Sequence, residues 1–332
     1  MKLSIVDSLE HAPGKTSAET IQDCLALARH AEAVGVHRYW VVEHHNVAFE
    51  ACPSPEIMVA VLAGATSRMR IGTGGILLNN YSPYKVAEQA RTLAALYPGR
   101  IDIGFGRSIS GVGPDLALKR DREAVRGDDQ ATLVEELVGW LSGAPHEDGP
   151  FTGMAIMPDM PGGPEPWNLA GSATSGALTG RLGLSLACSG FHRPELVPEV
   201  CAAYREALAT AHPGRSPQIM LALKGAVAET REEAERLFLP LRLVNAGRRT
   251  GGIFPPFLPT VEEALAQCGG SVPPVDALST RFTTMSVEEL RAHMKSMMAE
   301  NGVTELLFRL GLADPVAKRK MVSLLVEAVA DL

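Results

Sequence analysis

Short runs rich in β-branched and aromatic residues alternate along this chain with longer stretches whose apolar residues recur every three to four positions. Such a swap between periods of two and 3.6 is the mark of successive strand–helix units. Leu3–Val6 reads as the first strand. The following helix, Thr16–Val34, carries Ile21, Leu25, Ala28 and Ala31 on one stripe and stops at Gly35. His37–Val42 is the second strand; Ser54-Pro55-Glu56 then opens a helix to about Thr66, with serine as cap and proline at the first helical position. Arg70–Gly75 is the third strand, followed by a helix from Ser82-Pro83 to Leu96 that Tyr97-Pro98-Gly99 ends. Ile101–Phe105 is the fourth, its helix lying between Asp128 and Leu141 after a long polar connection.

The remaining units follow the same rhythm. Strands are expected at Trp167–Ala170, Leu184–Ser189, Gln218–Ala228 and Thr304–Phe308, with helices at Ser172–Leu182, Pro194–Ala211, Arg231–Ala246, Ser286–Asn301 and Pro315–Leu332. Thr230 caps the helix at Arg231, and Glu232 and Glu233 complement its dipole. Two stretches break the pattern: a proline- and glycine-rich excursion at 143–165, and a second at Gly247–Thr284 containing Gly251-Gly252 and Pro255-Pro256. About eight units with two such interruptions predict a single domain over 1–332, an α/β (β/α)8 TIM barrel with insertions after strands four and seven. The second insertion is expected to lie over the barrel mouth.

Composition adds exclusions. An apolar fraction of 46% with 21% charged residues is that of a globular protein with ample core, not of a disordered chain. The net charge of −7 is spread without a basic block, which argues against nucleic acid as a partner. Cys24, Cys52, Cys188, Cys201 and Cys268 are odd in number and unpaired in spacing, so neither a disulfide framework nor a zinc knuckle is indicated. No apolar stretch approaches the ~18 residues of a membrane span, and a strand-like run follows Met1 directly; a cytoplasmic protein without a membrane partner is expected.

In a barrel of this kind the chemistry sits at the C-terminal ends of the strands. Strand two ends in Glu43-His44-His45, and alternation sends one histidine to the mouth. Loop hydrogen bonding explains these residues about as well; a metal site does not, for want of partner ligands at another strand end. Strand three carries Gly72-Thr73-Gly74-Gly75, which fits either the close approach of a flat group or a bulge that curves the barrel. After strand four, Gly104-Phe105-Gly106-Arg107-Ser108 offers a guanidinium and a hydroxyl in an uncrowded loop. After strand five, Gly171-Ser172-Ala173-Thr174-Ser175 leads into a helix whose free amides suit an anion, although an ordinary cap reads the same way. Together the last two suggest a phosphate-bearing ligand.

These residues resemble the bacterial luciferase-like flavin-dependent monooxygenases. The likeness is carried by Lys2-Leu3-Ser4-Ile5-Val6-Asp7, by Arg38-Tyr39-Trp40-Val41-Val42-Glu43-His44-His45-Asn46, by Ile71-Gly72-Thr73-Gly74-Gly75-Ile76, by the Ser82-Pro83 to Glu88-Gln89 helix start, and by Tyr97-Pro98-Gly99-Arg100-Ile101-Asp102 through Gly106-Arg107. It is dense over the first third and looser to the end. The resemblance implies reduced FMN at the barrel mouth, delivered by a separate NAD(P)H-dependent flavin reductase, with O2 as co-substrate and an oxygen-derived flavin peroxide that attacks a small organic molecule. It implies that His44 assists proton transfer there, supported by Glu43 and His45. Gly74-Gly75 matches the family's non-proline cis peptide beneath the flavin ring. Arg107 with Ser172 and Ser175, beside Gly106 and Gly171, matches its phosphate site. A homodimer through helices two and three is implied as well, for which Ile57, Met58, Val61 and Leu62 supply apolar surface.

The chain departs from its relatives at Arg281-Phe282-Thr283-Thr284-Met285, where many members have a glycine-containing turn. The second insertion helps shape the substrate pocket in the family, so substrate identity does not carry over; the long loops suggest an aromatic or polyketide-type compound. A deazaflavin-dependent oxidoreductase of the same superfamily and a non-catalytic flavin-binding barrel are the competing readings. A hydrolytic barrel ranks last, since it lacks metal ligands and a carboxylate pair.

Overall fold

A computed structural model describes residues 1–107, 112–118, 129–143, 150–249, 254–274 and 282–332. The strands in chain order are β1 (Lys2–Asp7), β2 (Arg38–Val41), β3 (Arg70–Leu77), β4 (Ile101–Gly106), β5 (Glu165–Ala170), β6 (Ser185–Ser189), β7 (Ile219–Ala228), β8 (Thr283–Ser286) and β9 (Glu305–Leu310). All pair in parallel, from β1 round to β7, with β7 on β9 and β9 back on β1, so eight strands close a barrel. The helices are α1 (Ser17–Ala33), α2 (Pro55–Ala65), α3 (Pro83–Leu96), α4 (Val112–Leu118), α5 (Gln130–Ser142), α6 (Ala173–Arg181), α7 (Val197–Ala211), α8 (Arg231–Arg249), α9 (Val261–Gln267), α10 (Val287–Asn301) and α11 (Pro315–Val329). The fold is the (β/α)8 barrel expected from the sequence.

Three elements depart from expectation. The sequence places an eighth strand at Thr304–Phe308, which is β9; β8 is an extra strand at the end of the second insertion, lying against Gly225–Ala228 of β7. At ten residues β7 outruns its barrel neighbours, and β8 covers the edge left over. Gly225 permits this, because a Cβ there would stand 1.8 Å from the Thr283 carbonyl oxygen. Second, α4 and α9 occupy stretches read as irregular. Third, Ser54 and Ser82 sit at the expected cap positions but make no side-chain cap hydrogen bond; each helix begins instead on a proline, which presets φ and removes one orphan donor. Capping boxes are found at Thr16, Ser172, Thr260 and Ser286. Thr230 caps α8 as foreseen. Asp128, Ser108, Gly251-Gly252 and Arg281, which entered the sequence reading, lie outside the described residues.

Alternation along the strands fills the barrel in layers. At the N-terminal end Arg38 is buried and bonded to three carboxylates: Nη1 to Asp102 at 2.8 Å, Nε to Glu305 at 3.0 Å and Nη2 to Glu165 at 3.1 Å. Ser4 donates to Glu305, and Trp40 Nε1 to Asp102 at 2.9 Å. Above lies an apolar layer of Val6, Trp40, Trp167, Ala187, Met220 and Leu307, with the two indoles edge to face at 5.8 Å. The bulk of the Trp40 indole is accommodated by glycine on adjoining β3: a Cβ on Gly72 would stand 2.8 Å from Trp40 Nε1, and one on Gly74 3.1 Å from the same ring. Outside the strands, α2 turns Met58 and Leu62 into the core and leaves Ile57 and Val61 exposed. Of the four residues offered as a pairing face, two are therefore already buried by the chain itself. No described helix is long and apolar enough to cross a membrane.

Candidate active site

Above the apolar layer the C-terminal ends of the strands surround a cavity of about 430 Å³. It exists because four strands carry almost no side-chain bulk at that level. β3 contributes Gly74 and Gly75, β4 Gly106, β6 Ala187 and β7 Ala222, while Val6, Leu169, Phe191, Leu223 and Leu307 complete an apolar wall. The Gly74–Gly75 peptide is cis, as the resemblance implied. Packing alone already demands glycine here, since a Cβ on Gly75 would stand 2.9 Å from the Gly104 carbonyl oxygen. β3 is also bulged against β4 between Gly74 and Ile76. The bulge reading of this run is therefore met, and the same glycines form a wall of the cavity.

Polar groups border the cavity. Arg107 follows β4 directly, and Gly171 stands between β5 and the N-terminus of α6. Ser172 and Ser175 are close by but do not line the cavity; they form the capping box of α6, the Ser175 amide donating to Ser172 Oγ at 3.3 Å and the Ser172 amide to Ser175 Oγ at 3.2 Å. The capping reading of these serines is thus satisfied, and an anion at this helix end would meet amides and hydroxyls already ordered.

His44 and Glu43 line the cavity and His45 does not. Glu43 is buried and directed to the exit of β3, accepting from the Leu77 amide at 2.9 Å and from the Tyr81 hydroxyl at 2.8 Å, with His45 Nε2 at 2.7 Å. The expectation that Glu43 and His45 support His44 is corrected here: their bonds go to each other, to the last residue of β3 and to Tyr81 beyond it. The partner of His44 is Glu50, whose Oε2 lies 2.6 Å from Nδ1. Burial depresses the His44 pKa against the opposing pull of Glu50. Glu50, raised by burial alone, is brought below its ordinary value by His44 and Arg309. We read the pair as a neutral imidazole beside an ionised carboxylate, because the Arg309 guanidinium supplies positive charge to Glu50 whether or not His44 does.

Sequence reasoning missed Glu50, Arg309, Ser189 and His192. Arg309 lines the cavity from β9 and reaches Ser8 Oγ at 2.9 Å and Glu50 Oε1 at 3.3 Å. A cation following the apolar run Leu306-Leu307-Phe308 at an inward register was a legible signal. Ser189 and His192, joined at 2.8 Å, line the mouth after β6. Glu50 gave no signal, because its pairing depends on a loop folded back by tertiary contacts.

Lys224 stands across from Arg309 in the β7–β9 register. Burial, reinforced by Arg309, lowers its pKa to about 7. A depressed lysine costs the fold stability as pH falls from the ordinary lysine value through 7, because the unfolded chain binds the proton more readily. Lys224→Met should therefore raise the melting temperature, with the full gain near pH 6 and a shrinking one towards pH 10. Melting curves across that range would refute this by showing a gain that grows with pH.

Comparison with known proteins places this geometry. The family model described as luciferase-like monooxygenase matches residues 1–267. An N-acetyl-S-alkylcysteine monooxygenase of Bacillus subtilis (strain 168) is 35% identical over 240 residues, 71% of this chain and 70% of its own. The crystal structure of apo-MsnO8 superposes with a TM-score of 0.88 at 36% identity, over 99% of this chain and 98% of that one. Two more distant barrels show the fold alone, each with a TM-score of 0.72 and covering 99% of this chain. They are the FMN complex of the oxygenating constituent of 3,6-diketocamphane monooxygenase from Pseudomonas putida, at 20% identity over 98% of that chain, and an F420-dependent secondary alcohol dehydrogenase, at 16% over 99%. By the extent of these matches and the closed parallel barrel beneath them, the chain belongs to the luciferase-like monooxygenase family.

Proposed function

We propose that this chain is the oxygenase component of a two-component monooxygenase, using reduced FMN and O2 to oxygenate an organic substrate, with a separate NAD(P)H-dependent reductase supplying the reduced flavin. The observation that carries this reading is the small-residue cavity at the barrel mouth, bordered by Arg107, by Gly171 at the start of α6, and by His44. Reduced FMN bound there would supply the reaction with O2 that no side chain can perform. The residues present fit such a group: Gly74, Gly75 and Gly106 allow close approach of a flat ring system, and Arg107 with Gly171, Ser172 and Ser175 suits a phosphate.

The remaining lining has roles of its own. Leu169, Phe191, Ala222, Leu223 and Leu307 exclude water and receive the apolar body of the substrate. His44 holds or accepts a proton at the reacting centre. The N-acetyl-S-alkylcysteine monooxygenase of Bacillus subtilis, at 35% identity, supports oxygenation over a deazaflavin-dependent oxidoreduction. We place the protein in the cytoplasm as a homodimer, a reading supported by exposed Ile57, Val61 and Leu96 beside the α2–α3 groove.

The test is a titration with FMN, reduced FMN and F420, followed by oxygen uptake in the presence of NADH and a flavin reductase. Binding of reduced FMN with oxygen consumption is expected; tight F420 binding without oxygen uptake would replace the proposal. Arg107→Ala should weaken FMN by about 1.5–3 kcal/mol, the usual worth of a charge-assisted hydrogen bond. Equal affinity in the two proteins would remove Arg107 from the phosphate site.

A further inference from the structure

We propose that Glu50 is a positioning residue for His44: it accepts a hydrogen bond from Nδ1–H, fixes the imidazole as a single tautomer, and leaves Nε2 as the basic nitrogen available to the cavity. This rests on the reading above for its purpose, though not for its geometry. At 2.6 Å from a carboxylate oxygen, Nδ1 must carry the proton that forms the bond. Arg309 Nη2 also approaches Nδ1, at 3.4 Å, but it can only donate, and Nδ1 has no lone pair left to receive it. The shorter contact decides the tautomer. Since that edge of the ring is turned to Glu50, the opposite edge with Nε2 is the one left for the cavity that His44 lines.

Glu50 is itself held in place. Its side chain is 5% exposed, and its second oxygen meets Arg309, which is anchored by Ser8. Asn46, in the left-handed region at φ 57°, turns the chain back directly after His45. The returning segment is then stitched to the β1–α1 loop: His11 N–H donates to Phe49 at 2.7 Å, Ala51 N–H to Leu9 at 2.9 Å, and Glu10 bridges Glu50. A carboxylate on so constrained a loop orients the ring, as in other histidine–carboxylate pairs. The charged groups around the pair are Arg309 and Lys224 on the barrel side and Glu10 on the loop side, with Glu10 bound to Lys318 at 2.8 Å. A purely structural role for Glu50, neutralising Arg309, would leave the His44 tautomer unspecified, and this separates the two roles.

The test uses the full chain labelled with ¹⁵N-histidine and no flavin, with His44 assigned by the signal lost in His44→Gln. Long-range ¹H–¹⁵N spectra at pH 8 should show Nδ1 protonated and Nε2 bare. In Glu50→Gln the tautomers should mix and the imidazole pKa should fall by about one pH unit or more, the effect of losing a carboxylate at this distance. Glu50→Asp, which keeps the charge, should recover part of that fall. A wild-type His44 protonated at Nε2, or a tautomer and titration unchanged in Glu50→Gln, overturns the proposal. If Glu50→Gln does not fold, the wild-type tautomer and Glu50→Asp decide. Because no cofactor enters the measurement, its failure leaves the FMN reading standing, and failure of FMN to bind leaves this result standing.

Discussion

His44→Ala should keep its affinity for reduced FMN yet release most of the oxygen it consumes as hydrogen peroxide, with product formation falling by about 10²–10⁴-fold, the range for loss of a general acid–base group. The reasoning starts from the walls. In the proposed reading the binding contacts come from Arg107, the α6 terminus and the glycine surface, which are set apart from the His44–Glu50 pair, so the cavity should survive the change. What disappears is the one imidazole, among the described residues lining the cavity, that is tied to a buried carboxylate, and with it the proposed means of holding a proton at the reacting centre. Oxygen uptake, hydrogen peroxide and product, measured together with a substrate the parent protein turns over, give the coupling ratio. An unchanged ratio would remove His44 from the chemistry.

The second large effect concerns stability. Arg38→Met should destabilise the fold by about 3–5 kcal/mol, the cost of stripping one partner from a buried ionic cluster. Arg38 is 3% exposed, lies 4.7 Å over the Trp167 ring, and bonds Asp102, Glu165 and Glu305; Arg70 shares only Asp102 and Glu165. Burial already raises the Asp102 and Glu305 pKa values against the pull of Arg38. Removing the guanidinium raises them further. Carboxyls with folded pKa above the unfolded value weaken the fold once pH rises past the unfolded value, and do so fully above the folded one. The deficit in Arg38→Met should therefore be largest at neutral pH and shrink on acidification. Adding Glu305→Gln should recover part of it. Urea unfolding at pH 5 and pH 8 checks both statements; a loss under about 1 kcal/mol, or one that grows towards pH 5, would contradict them.

The strand and helix order was legible because each unit carries its own period and its own punctuation. Gly35 and Pro98-Gly99 stop helices where expected, and Thr230 and Ser286 start them. The errors fall where local signals and tertiary contacts part. Ser54 and Ser82 have the right identity for caps, yet proline at the next position lets those helices begin without the bond. Nothing in Thr283–Ser286 marks a strand; it becomes one because β7 is long enough to leave an edge, and because Gly225 lets another backbone approach it.

The candidate site divides along the same line. The amino-acid sequence by itself determined the eight-unit barrel, the strand ends where chemistry must gather, and the glycines that leave the wall flat, because periodicity and missing side chains are local properties. Only the tertiary structure decided which neighbours those groups face. It turned Glu43 and His45 to the exit of β3, gave Ser172 and Ser175 to a helix cap, folded the loop after β2 so that Glu50 meets His44, and brought Arg309 to the pair from the far end of the chain. A hydrogen bond needs two atoms within about 3 Å. Where residues separated by hundreds of positions meet at that distance, the closure of the barrel sets the pairing, and no spacing along the chain records it.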